Sequence, residues 1–208
     1  MSGLFEDNFE LYGGDVNKLI DGVWAQLDNN FSGEISLEIP TFETDGRYWL
    51  AVTGRGDDAR AVFAIGTEPD VGWFQRVRFE ELPGADDRAF PMALLTAGAT
   101  QILRIKVNAS GFITLHNDSD TQIGATAVPV IIAGRTHKIQ AQAEVNATGT
   151  FELRVDGVTV IDLTGLALGT DEVAGFLIGQ STTSSAPYGP FWVKDVALYS
   201  LEGTYNSN

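Results

Sequence analysis

Apolar and polar residues alternate with a period of two along most of the chain, the spacing of strands with one buried face. In Glu34–Ile39, Ile35, Leu37 and Ile39 fall on one face, against Glu34, Ser36 and Glu38 on the other, as in a half-buried antiparallel strand. Arg47–Thr53 and Arg60–Ile65 read as two more strands around a turn at Gly54–Asp58, where Gly and Asp are the usual turn residues. Val71–Phe79 is a further strand. Its adjacent Trp73 and Phe74 must point to opposite faces, so one of them is expected outside. Pro83–Phe90 reads as an acidic loop. Gln101–Val107 turns at Asn108–Gly111 and returns as Phe112–His116, a hairpin. Val16–Asp28 comes nearest to helical spacing, and reads either as a short helix or as a loop entering a strand.

The clearest local signal lies further along. Phe151, Leu153 and Val155 alternate with polar neighbours, Asp156-Gly157 interrupts, and Val158 to Leu163 resumes the alternation. Asp-Gly between two such runs predicts a type I′ hairpin, because both central residues need positive φ. Thr136–Val145 supplies a strand before it, so three strands form a meander. Val173–Ile178 and Phe191–Tyr199 follow, separated by a Ser-, Thr-, Gly- and Pro-rich loop at Gly179–Pro190. With no internal linker or repeat, residues 1–202 are expected to form one all-β, two-sheet antiparallel jelly-roll sandwich, and Gly203–Asn208 a tail or the start of a linker.

The run Arg135–Val145, the link Asn146–Gly149 and the hairpin Thr150–Val160, with its Val155-Asp156-Gly157, resemble the central meander of concanavalin A-like and laminin-G-like jelly rolls. Phe191–Tyr199 resembles their closing strand. Glu6–Phe9 with Tyr12, together with Leu198-Tyr199 and Gly203–Asn208, is similar to a group of tailed-bacteriophage virion proteins that carry this domain in tail, fibre or head appendages. One departure is Thr136 beside His137, where such domains often carry an aromatic. The resemblance implies a jelly roll, and a place in a phage or phage-like particle.

Composition narrows the partners. Lys and Arg number 13 against 28 Asp and Glu, a net charge of −15. Nucleic acid and anionic membrane surfaces both need a cationic face, so neither is expected. No apolar run approaches the length of a membrane span, and Met1–Asp15 lacks the basic and apolar regions of a secretory signal. The absence of cysteine removes disulfides, thiolate metal sites and cysteine nucleophiles.

Candidate chemistry is sparse. No Glu-x-Asp-x-Glu strand of the jelly-roll glucanase kind is present, nor a Gly-x-Ser-x-Gly elbow. His116 and His137, the only histidines, read as structural. Two histidines make zinc a poor fit. Calcium takes carboxylate and carbonyl oxygens from loops, and Asn117, Asp118 and Asp120 form one oxygen-rich cluster, Asp57-Asp58 and Asp86-Asp87 two others. Sugar binding needs an exposed aromatic platform, for which Trp73 and Tyr188 are the candidates. Trp49, Trp192, Tyr48 and Tyr205 are assigned mainly to the core.

These readings converge on a non-enzymatic virion adhesion module, without catalytic residues. Its partners would be other virion proteins and a host-surface polysaccharide, bound multivalently by a homo-oligomer in the particle. A bacterial carbohydrate-binding module or degenerate glucanase is the alternative from another class. A purely architectural capsid or tail protein without a ligand is a third.

Overall fold

A computed structural model describes residues 2–7, 9–10, 24–29, 34–54, 59–84, 87–182 and 188–201. These residues form fifteen strands and no α-helix, in two antiparallel sheets packed face to face. The larger sheet runs in the order β13 (Val158–Leu166), β12 (Gly149–Val155), β11 (Thr136–Glu144), β6 (Asp70–Phe79), β15 (Tyr188–Ser200), β4 (Trp49–Gly54) and β3 (Glu34–Glu38). β1 (Ser2–Asp7) also pairs with β15, along its second half. The smaller sheet runs β10 (Gln122–Ala125), β9 (Ile113–Asn117), β8 (Gln101–Val107), β7 (Asp87–Leu95), β14 (Val173–Thr182), β5 (Ala59–Glu68) and β2 (Trp24–Asn29).

The core fills the space between the sheets. Trp73, Phe79, Phe151 and Phe191 face inward from the larger sheet, and Phe63, Met92, Leu94 and Phe176 from the smaller one. Their rings meet in pairs: Trp73–Phe151 at 5.9 Å, Phe79–Phe191 at 5.2 Å and Phe63–Phe176 at 5.6 Å between centroids. Burying each such side chain stabilises by about 1.5–3 kcal/mol. Polar side chains also cross between the sheets, and Ser200 of β15 donates to Glu68 of β5 at 3.0 Å. Gln75 of β6, fully buried, donates from Nε2 to the Pro91 carbonyl of β7 at 3.0 Å. Pro91 itself sits where the register of β7 shifts between Ala89 and Met92, a place where a strand tolerates a residue without an N–H.

The alternating runs become strands close to where the sequence places them. At the tip of the β12–β13 hairpin, Asp156 has φ +52° and Gly157 φ +85°, the two positive values a type I′ turn requires. His137 then secures the adjoining loop. Its Nε2 accepts from the Ile132 backbone N–H at 3.0 Å, so Nδ1 carries the proton and donates to Asp156 Oδ2 at 2.9 Å. Asp156 Oδ1 accepts from the Lys138 N–H. Burial alone would raise the Asp156 carboxyl. The Lys138 N–H, His137 and the charge of Arg135 outweigh it and hold Asp156 below the usual carboxylate range.

Two expectations change, and one strand is new. Trp24–Asn29 is a strand, so the helical option for Val16–Asp28 fails over those residues, while 11–23 lie outside the described residues. The acidic loop is shorter than Pro83–Phe90, because β7 begins at Asp87. β10 has no alternation to announce it, being only four residues of intermediate or full exposure at the sheet edge. The tail after Leu201 lies outside the described residues.

Candidate functional site on the outer face of the larger sheet

One face of the larger sheet looks away from the core, and its strand register brings distant residues into rows. Asp162, Glu152, Gln142, Gly72 and Tyr199 are successive partners across β13, β12, β11, β6 and β15. Thr164, Thr150, Glu144 and Asp70 form the next row. Strand spacing of ~4.8 Å sets the distance between row members.

Gly72 shapes the middle of the first row. It is buried, and the Tyr199 ring lies across it. A Cβ on residue 72 would stand 2.8 Å from the Tyr199 hydroxyl oxygen and closer still to the ring carbons. Without that Cβ, Tyr199 reclines over β6, and its hydroxyl is hydrogen-bonded to Gln142 of β11 with Arg154 of β12 close by. Burial pushes the Tyr199 phenol up from its ordinary value, and the Gln142 hydrogen bond and the Arg154 charge oppose that rise. Arg154 Nε is paired with Glu152, whose Oε1 also accepts from Thr159 Oγ1 at 3.2 Å.

Beside this group the sheet opens into a cleft of about 460 Å³, lined in part by Asp70, Gln142, Glu144, Thr150, Glu152 and Asp162. A smaller recess between Gln140, Gln142, Glu152, Arg154 and Tyr199 adjoins it through shared residues. A phenol, an amide and a guanidinium thus meet at the edge of the cleft.

The other half of this face is covered. In the segment between β3 and β4, Phe42 packs edge-on against Trp49 at 5.2 Å and Trp192 at 5.8 Å, with the Arg78 guanidinium 4.1 Å from its ring centre. Glu43 Oε2 accepts from Trp49 Nε1 and Lys194 Nζ, both at 2.6 Å. Burial would raise the Glu43 carboxyl. The hydrogen bonds from Lys194, Trp49 and the Asp45 N–H, with the Lys194 charge, outweigh it and lower Glu43 to about 2.

The residues singled out in the sequence fall elsewhere. Trp73 is 1% exposed and points into the core, so it is no sugar platform. Phe74 is the outward member of that pair. Tyr188 opens β15, and its side chain lies outside the described residues. Asn117, Asp118 and Asp120 share the β9–β10 turn, and each has partners within the protein. Asn117 Oδ1 accepts from the Thr121 N–H and Asp118 Oδ1 from the Ser119 N–H. Asp120 pairs with Arg104 and Lys106. Burial would raise Asp120, but hydrogen bonds from Lys106 and Arg104 and their charges bring it to about 2. Among the described residues no group of three or more His, Asp or Glu side chains is arranged to hold a metal ion. Asp57, Asp58 and Asp86 lie outside the described residues. His116 donates from Nδ1 to the Asp120 carbonyl at 3.1 Å and meets Thr114 Oγ1 through Nε2 at 3.0 Å. Burial depresses its basicity, and Lys106 adds to that effect against the Asp120 carbonyl.

No protein-family model matches the sequence, and no curated protein matches it. Solved structures share the fold. The cellulose-induced protein Cip1 superposes with a TM-score of 0.72 at 16% identity, over 94% of this chain and 97% of that one. An endo-β-1,4-glucuronan lyase from the fungus Trichoderma reesei gives 0.65 at 14% identity, over 96% of each chain. A sialidase gives 0.70 at 16% identity over 96% of this chain, which spans only 19% of the sialidase's length. Alginate lyases, one from a Chlorella virus, and a carbohydrate esterase from the Shiga toxin-encoding bacteriophage phi24B share the fold at 10 to 12% identity. The architecture is therefore the concanavalin A-like jelly-roll sandwich, as the sequence implies.

The expectation of a non-enzymatic virion module is overturned at this point. The proteins that share the fold over their full length include polysaccharide lyases, at 10 to 14% identity, which favours the carbohydrate-directed alternative over the virion reading. The sequence carries that reading as its alternative, a carbohydrate-binding module or degenerate glucanase, but no single strand holds the site. Tyr199, Gln142 and Arg154 come from three strands, and the one local signal among them is a glycine inside the strand Asp70–Phe79. Such a glycine marks a close approach by another group.

Proposed function

We propose that the cleft beside Tyr199 binds a uronate-containing polysaccharide and cleaves it by β-elimination. The observation that carries this reading is the reclining Tyr199, hydrogen-bonded to Gln142 and next to Arg154 at the edge of the cleft. In such an elimination the proton on C5, next to the uronate carboxyl, is removed. The freed electron pair forms the C4–C5 double bond as the C4–O bond breaks, and the departing oxygen takes up a proton. Gln142 and Arg154 are the groups placed to stabilise the negative charge that builds on the carboxyl as C5 loses its proton. Tyr199 serves both proton steps: as phenolate it accepts the C5 proton, and as phenol it delivers a proton to the leaving oxygen. The solved lyases of this fold support the choice of reaction class.

The test is incubation with a panel of uronate polysaccharides, following both the ultraviolet absorbance of the unsaturated sugar and new reducing ends. Both signals should appear together, and Tyr199→Phe should abolish them while the variant keeps its thermal stability. Reducing ends without unsaturation would mean hydrolysis. Full activity in Tyr199→Phe would remove Tyr199 from the mechanism.

A further inference from the structure

We infer that the substrate is a glycan in which the cleaved uronate is flanked by sugars without acidic groups, and that Glu144 and Asp162 enforce this choice. The inference rests on the reading of Tyr199, Gln142 and Arg154 given above and specifies the chemistry on one side of that group. Along the first row, Glu152 stands one strand beyond Gln142 and Asp162 two strands beyond it, ~5 and ~10 Å away. Those distances are the reach of the neighbouring sugar units. The next row adds Glu144 and Asp70, with the hydroxyls of Thr150 and Thr164 between and beside them.

The cleft next to the reactive group is thus lined by four carboxyl side chains and two hydroxyls. Arg154, in the adjoining recess, is already in contact with Glu152. A homopolymer of uronate would bring a carboxylate into every subsite and set like charges against each other, at the half-buried Asp70 and Glu152 and the exposed Glu144 and Asp162. Such juxtapositions lower affinity and suppress wrong partners. A neutral or N-acetylated sugar finds instead hydroxyl and carboxyl acceptors for its own hydroxyl and amide donors. One uronate is accommodated at Gln142 and Arg154, where the guanidinium offsets the charge of Glu152, and Glu144 and Asp162, which have no such cation paired to them among the described residues, exclude a second beside it. The overall charge of −15 acts in the same direction at long range.

The experiment measures cleavage, and binding to the Tyr199→Phe variant, with three glycans: alginate and glucuronan as polyuronates, and hyaluronan, in which glucuronate alternates with an N-acetylated sugar. The double variant Glu144→Gln/Asp162→Asn is compared with the native chain, and a thermal melt checks its folding. The native protein should prefer hyaluronan over both polyuronates. The double variant should gain about tenfold in affinity for the polyuronates, and little for hyaluronan. Native binding to polyuronates should also strengthen as salt is added, because screening relieves repulsion. Polyuronates handled as well as hyaluronan by the native protein, or weakened by salt, would overturn the inference and leave the reading of Tyr199 standing. Neither cleavage nor binding with any of the three glycans would overturn both.

Discussion

The ring of Tyr199 lies on the backbone of Gly72, in the space that a Cβ on residue 72 would occupy. This contact, between residues more than a hundred positions apart, is what lets the Tyr199 hydroxyl reach Gln142. Gly72→Ala should therefore push the phenol off its partner without disturbing the core, since position 72 faces away from the inter-sheet layer. A displacement of about 1 Å at a proton-transfer group costs ~100-fold in rate. The expected result is a loss of that order in kcat/KM with a small change in Tm, measured on the same preparations. Native activity in Gly72→Ala would show that the reclining geometry is not needed.

The pH profile of cleavage should carry the signature of Tyr199. Burial raises its pKa above the ordinary tyrosine value of 10.0, so the phenolate that accepts the C5 proton is scarce at neutral pH. The rate is expected to climb about tenfold per pH unit through the alkaline range, levelling only above that ordinary value. Tyr199→Phe should leave no such rise. A profile already flat at neutral pH would assign the proton acceptor to another group.

Glu43 ties the segment over Trp49 and Trp192 to the sheet through Lys194, whose side chain is only 6% exposed. Removing the carboxylate with Glu43→Ala leaves a buried ammonium without its partner, and about 3 kcal/mol of stability should be lost, measured by urea unfolding. The pH dependence has a definite sign. The folded pKa of Glu43 is lowered to about 2 from 4.5. Its contribution is complete above the unfolded value and disappears as pH falls from 4.5 through about 2. Stability of Glu43→Ala should be flatter than native across that window.

Asp120 repeats the pattern on the smaller sheet. Lowered to about 2 from 3.8, it stabilises the fold above its unfolded value and stops doing so as pH falls through that lower range. It is more exposed than Glu43, at 32%, so solvent screening reduces its effect. Asp120→Asn is expected to cost about 1 kcal/mol and to weaken the hold on the side chains of Arg104 and Lys106. NMR of the arginine and lysine side-chain groups would register the change. No shift of either set of signals would place their main anchor elsewhere.

His137→Leu keeps the apolar bulk of a fully buried side chain and removes both of its hydrogen bonds. The Ile132 N–H and the Asp156 carboxylate each lose a partner, at a cost of ~2–4 kcal/mol. Hydrogen exchange at the Ile132 amide is the direct readout. It should accelerate far more than exchange within β11 itself, and equal acceleration in both would mean global rather than local loosening.

The sequence by itself determined the strands and the hairpins. Period-two alternation in Gln101–Val107 and Phe151–Val155 leaves one apolar face each, and that face has to be buried. Asp156-Gly157 fixes its turn locally, through positive φ. In Asp70–Phe79 the alternation itself favours the indole inside, because Trp73 shares its phase with Val71, Val77 and Phe79, whereas Phe74 shares its phase with Arg76 and Arg78. The tertiary structure decided what that indole packs against, Phe151 of β12. It also decided which strands are neighbours. β6 sits between β11 and β15, an order set by long-range burial of the two inner faces and not by any local spacing. Gly72, Gln142 and Tyr199 become a site only through that order, because no stretch of chain holds more than one of them.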